Sequence, residues 1–394
     1  MREESSNKNI TNLLKYVHYT NGANKLIISE KIGVSPAALT KISKKLITEK
    51  LLFEKSIYDE KGKKKNVILI NYDQYISIGI SIEKENIKIN FTNLNCEILD
   101  SFEIEVENID NFKKFIKYLF NSLKIYIKEK NIPVEKLIGI GVIASSEMIN
   151  ASILEFFKKE RFAKLQEYSK EHFGIPIFLE TDIRAISLYE AFINPHHRNF
   201  YLIRYGESRG TSLIINNKLI QPIIPYHRSL GSKHFIVETN SDIYCEICKK
   251  RGCFETMVAP KYLYDEIIKE NNHSQRIIDL YSDMSFDTFM ERAQKGGVTE
   301  CKALRKIAKY ITILMINHNT VFPLDKFLLS GKIFRSNLFV NYIKMFLQEY
   351  QLGEVPEELI VLEDRSKEES LAASFLPINY VFYNYNLNYL KDEE

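Results

Sequence analysis

Over the first fifty positions, apolar residues recur at helical spacing. Ile10, Leu13, Leu14 and Val17 fall at i, i+3, i+4 and i+7, one stripe of an amphipathic helix. A second short helix is predicted in LIISEKIGV (26–34), stopping at Gly33. Ser35-Pro36 then supplies an N-cap and a first-turn proline for a third helix, with Leu39, Ile42, Leu46 and Ile47 facing inward. After that the period drops to two. LLFEKSIY (51–58) and NVILINY (66–72) read as strands joined by a hairpin. From Tyr75 three more short strands follow, YISIGISI, ENIKINFTNL and EILDSFEIEV, and then a long helix near 110–130 with Phe112, Phe115, Ile116, Leu119 and Leu123 on one side. LIGIGVIA and IPIFLE read as buried strands, followed by a helix over 183–193 and strands NFYLIRYG and TSLIIN. A helical stretch through 257–321, the strand DKFLLSG and a closing helix–strand–helix segment complete the pattern, and 379–394 receives no assignment.

Charge changes the reading of the N-terminal part. Residues 1–70 carry thirteen lysines and Arg2 against seven carboxylates, a net of +7 in a chain whose total is +3, so the remainder is −4. A basic head on a mildly acidic body points to a polyanion as the head's partner. The third helix leaves Ser35, Ala37, Thr40, Lys41, Lys44 and Lys45 off its apolar stripe, and the hairpin tip carries Lys61, Lys63, Lys64 and Lys65 around Gly62. A helix of major-groove diameter beside a lysine-tipped hairpin is a winged helix-turn-helix, and the pairing favours double-stranded DNA over a protein partner. Lysines on phosphates supply affinity, while base reading falls to Ser35, Ala37, Thr40, Lys41 and Lys44.

A length of 394 residues predicts more than one domain, divided here into 1–72 (DNA-binding) and 73–394 (the body). The body's three strands followed by alternating helices and strands, twice over, is the order of a two-lobed actin-like (ribonuclease H-like) sugar-kinase fold, and the whole chain is of the α/β class. No run of about 18 uncharged apolar residues predicts a membrane span. The polar N-terminus has no apolar signal core, so a cytoplasmic protein is expected.

Glu180–Glu190, Gly206–Leu219 and His234–Glu255, together with the N-terminal winged helix, resemble the ROK family (repressor, open reading frame, kinase), specifically its repressor branch of xylose-type and N-acetylglucosamine-type regulators. Its most specific part here is Cys245-Glu-Ile-Cys248-Lys-Lys-Arg-Gly252-Cys253-Phe254-Glu255. Three thiols within nine residues, with His234 eleven residues before Cys245, make up the donor set of a closed structural Zn2+ site. His227 is a competing ligand. The family spaces its first two cysteines by one residue, whereas two intervene here. Cys96 and Cys301 stand alone and read as small buried hydrophobes.

The resemblance also implies a sugar kinase whose chemistry has been lost. Asp182, in Glu180-Thr181-Asp182-Ile183-Arg184-Ala185, matches the family's catalytic aspartate, but the flanking asparagines are replaced by Thr181 and Arg184. The first phosphate loop becomes Ser81-Ile82-Glu83-Lys84-Glu85, the second Gly206-Glu207-Ser208-Arg209-Gly210, and the third is reduced to Ser330-Gly331-Lys332. Side chains and carboxylates stand where backbone must approach phosphate, so no ATP is expected and Asp182 is vestigial. The family's sugar contacts map onto Asp182, Thr181, His234 and Glu255, while Gly231 replaces a glutamate. The implied function is a sequence-specific repressor of carbohydrate-utilisation genes, a homodimer or tetramer, that binds operator DNA and responds to a small carbohydrate. The alternatives are an ATP-dependent sugar kinase with a regulatory head, a constitutive DNA-binding repressor that binds no sugar, and a protein-interaction scaffold.

Overall fold

Ile10, Leu13, Leu14 and Val17 are each at most 1% exposed on α1 (Arg2–Tyr19), which packs with α2 (Lys25–Ile32) and α3 (Pro36–Thr48). The computed structural model describes residues 2–58, 62–82, 86–105, 112–144, 159–206, 209–220, 234–246, 248–350, 359–362 and 365–387. Asn24 caps α2, its side chain accepting from the Ile27 amide at 2.9 Å. The inward line of α3 is Leu39, Ser43 and Leu46, with Ile42 and Ile47 only half-buried. Steps of four and three residues put these three at the centre of the stripe, and the two isoleucines flank it. Ser43 is tolerated there because its hydroxyl donates to the Thr40 carbonyl. β1 (Leu52–Tyr58) and β2 (Lys64–Ile70) form an antiparallel hairpin in which Leu52 faces Ile70. The Ile68 amide donates to the Ala23 carbonyl at 2.9 Å, which ties the hairpin to the helices.

Two five-stranded sheets follow. The first takes β3 (Ile76–Ile82), β4 (Asn86–Thr92), β5 (Ile98–Glu105), α4 (Phe112–Glu129), β6 (Leu137–Ala144), α5 (Lys159–Phe173) and β7 (Ile177–Thr181), in the order β5-β4-β3-β6-β7. α6 (Asp182–Ile193) leads into β8 (Phe200–Arg204), β9 (Gly210–Ile215) and β10 (Lys218–Leu219). Next come α7 (Phe254–Val258), α8 (Pro260–Glu270), α9 (Gln275–Tyr281), α10 (Phe286–Gln294) and α11 (Val298–Val321). β11 (Lys326–Ser330), α12 (Asn337–Tyr350), β12 (Leu359–Val361) and α13 (Arg365–Pro377) complete the chain's elements, and the second sheet runs β10-β9-β8-β11-β12. In both sheets three antiparallel strands precede two parallel ones in the same spatial order. The sequence pattern did not predict α5: KERFAKLQEYSKEHF is so charged that only Phe162, Leu165, Tyr168 and Phe173 mark its inner face. No helix among the described residues is long and apolar enough to cross a membrane.

The chain divides into two compact units, one running to Ala185 and resuming at Ser366, the other holding 186–365. In the first, Ile78, Ile80, Ile82, Ile87 and Ile89 point into a core with Phe115, Leu119 and Leu123 of α4. The second is built around Tyr201, Ile203, Phe327 and Leu329, packed by α7 to α12.

The opposite face of the first sheet is made of small residues because α13 lies directly on it. The Ser77 hydroxyl donates to the Ser374 carbonyl at 2.6 Å. A Cβ on Gly79 would overlap Ser374, and one on Gly141 would overlap the Ala373 carbonyl, so only hydrogen fits at either position. Beyond α13 a π-helical turn, Ile378–Tyr383, carries aromatic residues toward the N-terminal helices. Tyr380 stacks on Phe178 at 5.2 Å, and Tyr383 meets the edge of His18 at 5.6 Å. His18 Nδ1 is 2.9 Å from the Tyr72 hydroxyl, and the Tyr385 hydroxyl donates to Glu49 at 2.8 Å. This places part of the unassigned tail; residues 388–394 lie outside the described residues.

Gly141→Ala should destabilise the chain by on the order of 3 kcal/mol, because a sheet backbone against a helix carbonyl has no flexible partner to move aside. Chemical denaturation of the variant against the parent protein measures it, and an unchanged midpoint would mean that α13 yields at no cost.

Candidate metal centre and nucleic-acid face

On α3 the Ser35 side chain accepts from the Ala38 amide at 3.2 Å, and Pro36 occupies the first turn, so the helix begins where the sequence predicts. Ser35, Ala37, Thr40, Lys41 and Lys44 are exposed. The Thr40 hydroxyl donates to the Pro36 carbonyl at 2.8 Å and leaves its methyl to meet a partner. Lys45 is exposed as well, but its ammonium stands 5.1 Å from the Tyr385 ring centre, a cation–π contact with the chain's own tail. Lys63, Lys64 and Lys65 are exposed at the start of β2, and Lys61 lies outside the described residues. The sequence reading passed over Tyr58, which pairs with Lys64 in the hairpin and is 71% exposed. Lys25 reaches across to Glu54 at 2.5 Å and so ties α2 to β1.

The second unit brings together His234, Cys245, Cys248 and Cys253, with donor atoms all within 4.8 Å of one another. His234 Nδ1 is 3.7 Å from the sulfurs of Cys245 and Cys253. Bonds of about 2.3 Å to sulfur and 2.0 Å to nitrogen in a tetrahedron separate such donors by about 3.6 Å, close to the two His234–sulfur distances, so this donor set could hold zinc. His234, Cys245 and Cys253 are buried, and Cys248 is half-buried. His227 lies outside the described residues.

Backbone pairing holds the four donors in place. The Cys245 amide donates to the Lys250 carbonyl, and the Lys249 amide to the Cys245 carbonyl, both at 2.9 Å. The Val237 amide reaches the Gly252 carbonyl at 2.9 Å, and the Phe254 amide the Phe235 carbonyl at 2.8 Å. Gly252 has φ +66, and a Cβ there would overlap the Glu238 carbonyl, so the sharp return into Cys253 depends on glycine. Burial pushes the Cys253 thiol up to about 11. The segment between His234 and Cys245 also forms one wall of a 970 Å³ cavity that Met257, Lys306 and Tyr310 line from α7 and α11.

The residues matched to a sugar site are distributed over both units. Asp182 begins α6, is 1% exposed, and accepts from the Ile183 amide at 2.7 Å. The Thr181 amide and the Arg184 guanidinium both donate to Glu180, at 3.0 and 2.7 Å. In the second unit Glu255, on α7, pairs with Arg209 at 3.4 Å, a contact the sequence reading did not anticipate. His234 turns Nδ1 toward the sulfurs. Of the phosphate-loop positions, Glu83, Lys84, Glu85, Glu207 and Ser208 lie outside the described residues, as does Gly231. Ser330 is buried at the end of β11, Gly331 has φ +135, and Lys332 pairs with Asp287 at 2.9 Å. Arg204, 5% exposed, ends β8 opposite Gly210 and Ser330, another position the sequence reading missed.

Among known proteins the chain is similar to a xylose repressor of Caldicellulosiruptor bescii, 21% identical over 355 residues that make up 86% of this chain and 88% of that protein. Its fold is similar to that of a ROK family transcriptional regulator described as a homologue of the Escherichia coli MLC protein, with a TM-score of 0.74 at 15% identity over 98% of this chain and 99% of that one. A ROK hexokinase from Thermus thermophilus superposes with a TM-score of 0.62 at 14% identity and covers 76% of this chain but 97% of its own. The ROK family model matches residues 77–374, and the chain belongs to the ROK family.

Proposed function

We propose that this protein is a DNA-binding transcription repressor whose sugar-kinase-like body senses a carbohydrate instead of phosphorylating one. The observation that carries the reading is the exposed face of α3 beside the lysine-bearing start of β2, in a chain whose likeness to a xylose repressor spans 86% of its length. The kinase relative leaves about a quarter of this chain unmatched, and the regulator leaves almost none. In this reading residues 1–72 form a winged helix-turn-helix. Ser35, Ala37, Thr40, Lys41 and Lys44 meet the major groove, and Lys61, Lys63, Lys64 and Lys65 meet phosphates. Lys45 assists from the margin, where Tyr385 holds it. The body, 73–394, takes up the carbohydrate and forms the dimer, so that two winged helices reach two half-sites.

The residues assigned to the carbohydrate are Asp182, Thr181, Glu255 and His234. Carboxylates accept hydrogen bonds from adjacent hydroxyls, which suits a polyol. The pairing of Arg209 with Glu255 supports loss of nucleotide chemistry, since both side chains stand beside the former phosphate loop and engage each other. Ligand entry alters DNA affinity only if it binds one arrangement of the protein more tightly than another. His234, Cys245, Cys248 and Cys253 hold a structural zinc that supplies no chemistry and fixes the loop from 234 to 253.

Fluorescence anisotropy with the protein's own upstream DNA tests the reading: tight binding that falls steeply with salt and that one sugar alters is expected. Affinity that ignores salt would point to a protein partner, and hydrolysis of ATP in the presence of a sugar would restore the kinase. Lys63→Ala combined with Lys64→Ala should weaken binding to every DNA sequence and flatten the log–log salt dependence by about 1.8. For the metal, Cys253→Ser should abolish stoichiometric zinc and lower the melting temperature; full zinc content at an unchanged melting temperature would refute the assignment.

A further inference from the structure

The metal centre presents its four donors unequally. Cys245 and Cys253 are 2% and 0% exposed, while Cys248 is half-buried and so the least enclosed of the three residues. Cys248 also has a second thiol, Cys245, three positions earlier, the Cys-X-X-Cys spacing of redox-active pairs. The hydrogen bond from the Lys249 amide to the Cys245 carbonyl closes a single turn around the pair, and their sulfurs lie within the 4.8 Å of the cluster. A disulfide needs a sulfur–sulfur bond of about 2.05 Å and Cβ atoms about 3.8 Å apart, which side-chain rotation within one turn can supply. The other two cysteines are poor competitors. Cys96 is 4% exposed and burial pushes its thiol up, and the Cys301 thiol donates to the Ala293 carbonyl at 3.3 Å.

We propose that Cys245 and Cys248 are an oxidation site, at which hydrogen peroxide converts the pair to a disulfide and dismantles the metal centre. The Cys248 thiolate attacks one peroxide oxygen; the O–O bond breaks, hydroxide leaves, and Cys248 becomes a sulfenic acid. The Cys245 thiolate then attacks the Cys248 sulfur, the S–O bond breaks, and a second hydroxide leaves. Two thiolates have lost two electrons, one peroxide has gained them, and two protons from solvent turn the hydroxides into water. His234 and Cys253 remain as donors, two where a closed site needs four. The consequences follow the backbone. Cys253 stands at the N-terminus of α7, which carries Glu255 to Arg209, and the segment between His234 and Cys245 walls the 970 Å³ cavity, so oxidation loosens both.

The test uses the full zinc-loaded chain, treated with hydrogen peroxide and followed with a chromogenic zinc chelator and by non-reducing peptide mapping. Release of zinc together with a Cys245–Cys248 disulfide is expected, and dithiothreitol with added zinc should restore the metal content. Cys96→Ser with Cys301→Ser should leave release unchanged. Cys248→His keeps a fourth donor but cannot form the disulfide, and its zinc should resist peroxide. Retention of zinc by the parent protein while glutathione in the same solution is oxidised would overturn the proposal. So would a disulfide mapped to Cys253, or release from Cys248→His at the parent rate. None of these readouts involves DNA, so the proposal stands or falls apart from the repressor reading.

Discussion

The contact on which the first unit depends is the close approach of α13 to the sheet of β3 and β6. A helix packed on a sheet ordinarily interposes side chains on both surfaces. Here Ser77, Gly79 and Gly141 remove them from one surface, and the carbonyls of Ala373 and Ser374 meet the strands almost directly. Contact at that range fixes the rotation and the translation of α13 together, because a shift along the helix would drive a carbonyl into the sheet. The π-helical turn beyond Pro377 inherits this fixed starting point. It can therefore set Tyr383 against His18 and Tyr385 against Glu49 and Lys45 without a long lever arm of its own. The end of the chain thereby holds the three-helix head whose exposed face is the basic one.

The second unit solves a different problem. The stretch from His234 to Cys253 contributes Val237 to the core, with Ile243 packed against it, and among its described residues forms no strand longer than an isolated bridge. On the proposed reading, a cation held by the four convergent donors would substitute for the burial such a loop lacks. The close approach of His234 Nδ1 to the sulfurs of Cys245 and Cys253, 3.7 Å each, is the contact a bound cation would reinforce.

How much of this could be read from the sequence depends on whether a feature is local. The stripe of α1, the Ser35-Pro36 start of α3 and the alternation of the hairpin depend on neighbours within a turn or a strand, and the three clustered cysteines mark a candidate metal site by spacing alone. α5 was missed because Phe162, Leu165, Tyr168 and Phe173 are thinly spread among charges, too weak a stripe to stand out. The reason Gly79 and Gly141 are glycines lies more than 230 residues downstream, in Ser374 and Ala373, and no window of sequence contains both. The same holds for Lys45: periodicity places it on an outer face, but only the tail's position reveals the aromatic ring it covers. Pairings such as Arg209 with Glu255 depend on how a loop and a helix meet, and a single sequence carries no signal for that.

That last pairing bears on whether this ROK fold would admit a nucleotide. The two sheets retain the same strand order, so nothing in the scaffold forbids catalysis. Arg209 belongs to the segment matched to a phosphate loop, and Glu255 meets it there. Arg209 and Glu255 are each about four-fifths buried as side chains, and each offsets the other's charge. Admitting a phosphate would compensate Arg209 but would set Glu255 against the incoming negative charge in a partly dry setting, where repulsion is screened poorly. A kinase loop made of glycine has no such debt, because backbone amides carry no counter-charge to displace. One ion pair can therefore make the nucleotide the less favourable occupant while leaving the strands, the metal loop and α7 as they are. On the proposed reading, such a pair would disfavour phosphoryl transfer without altering the strands, and the basic head would give binding in the body something to control.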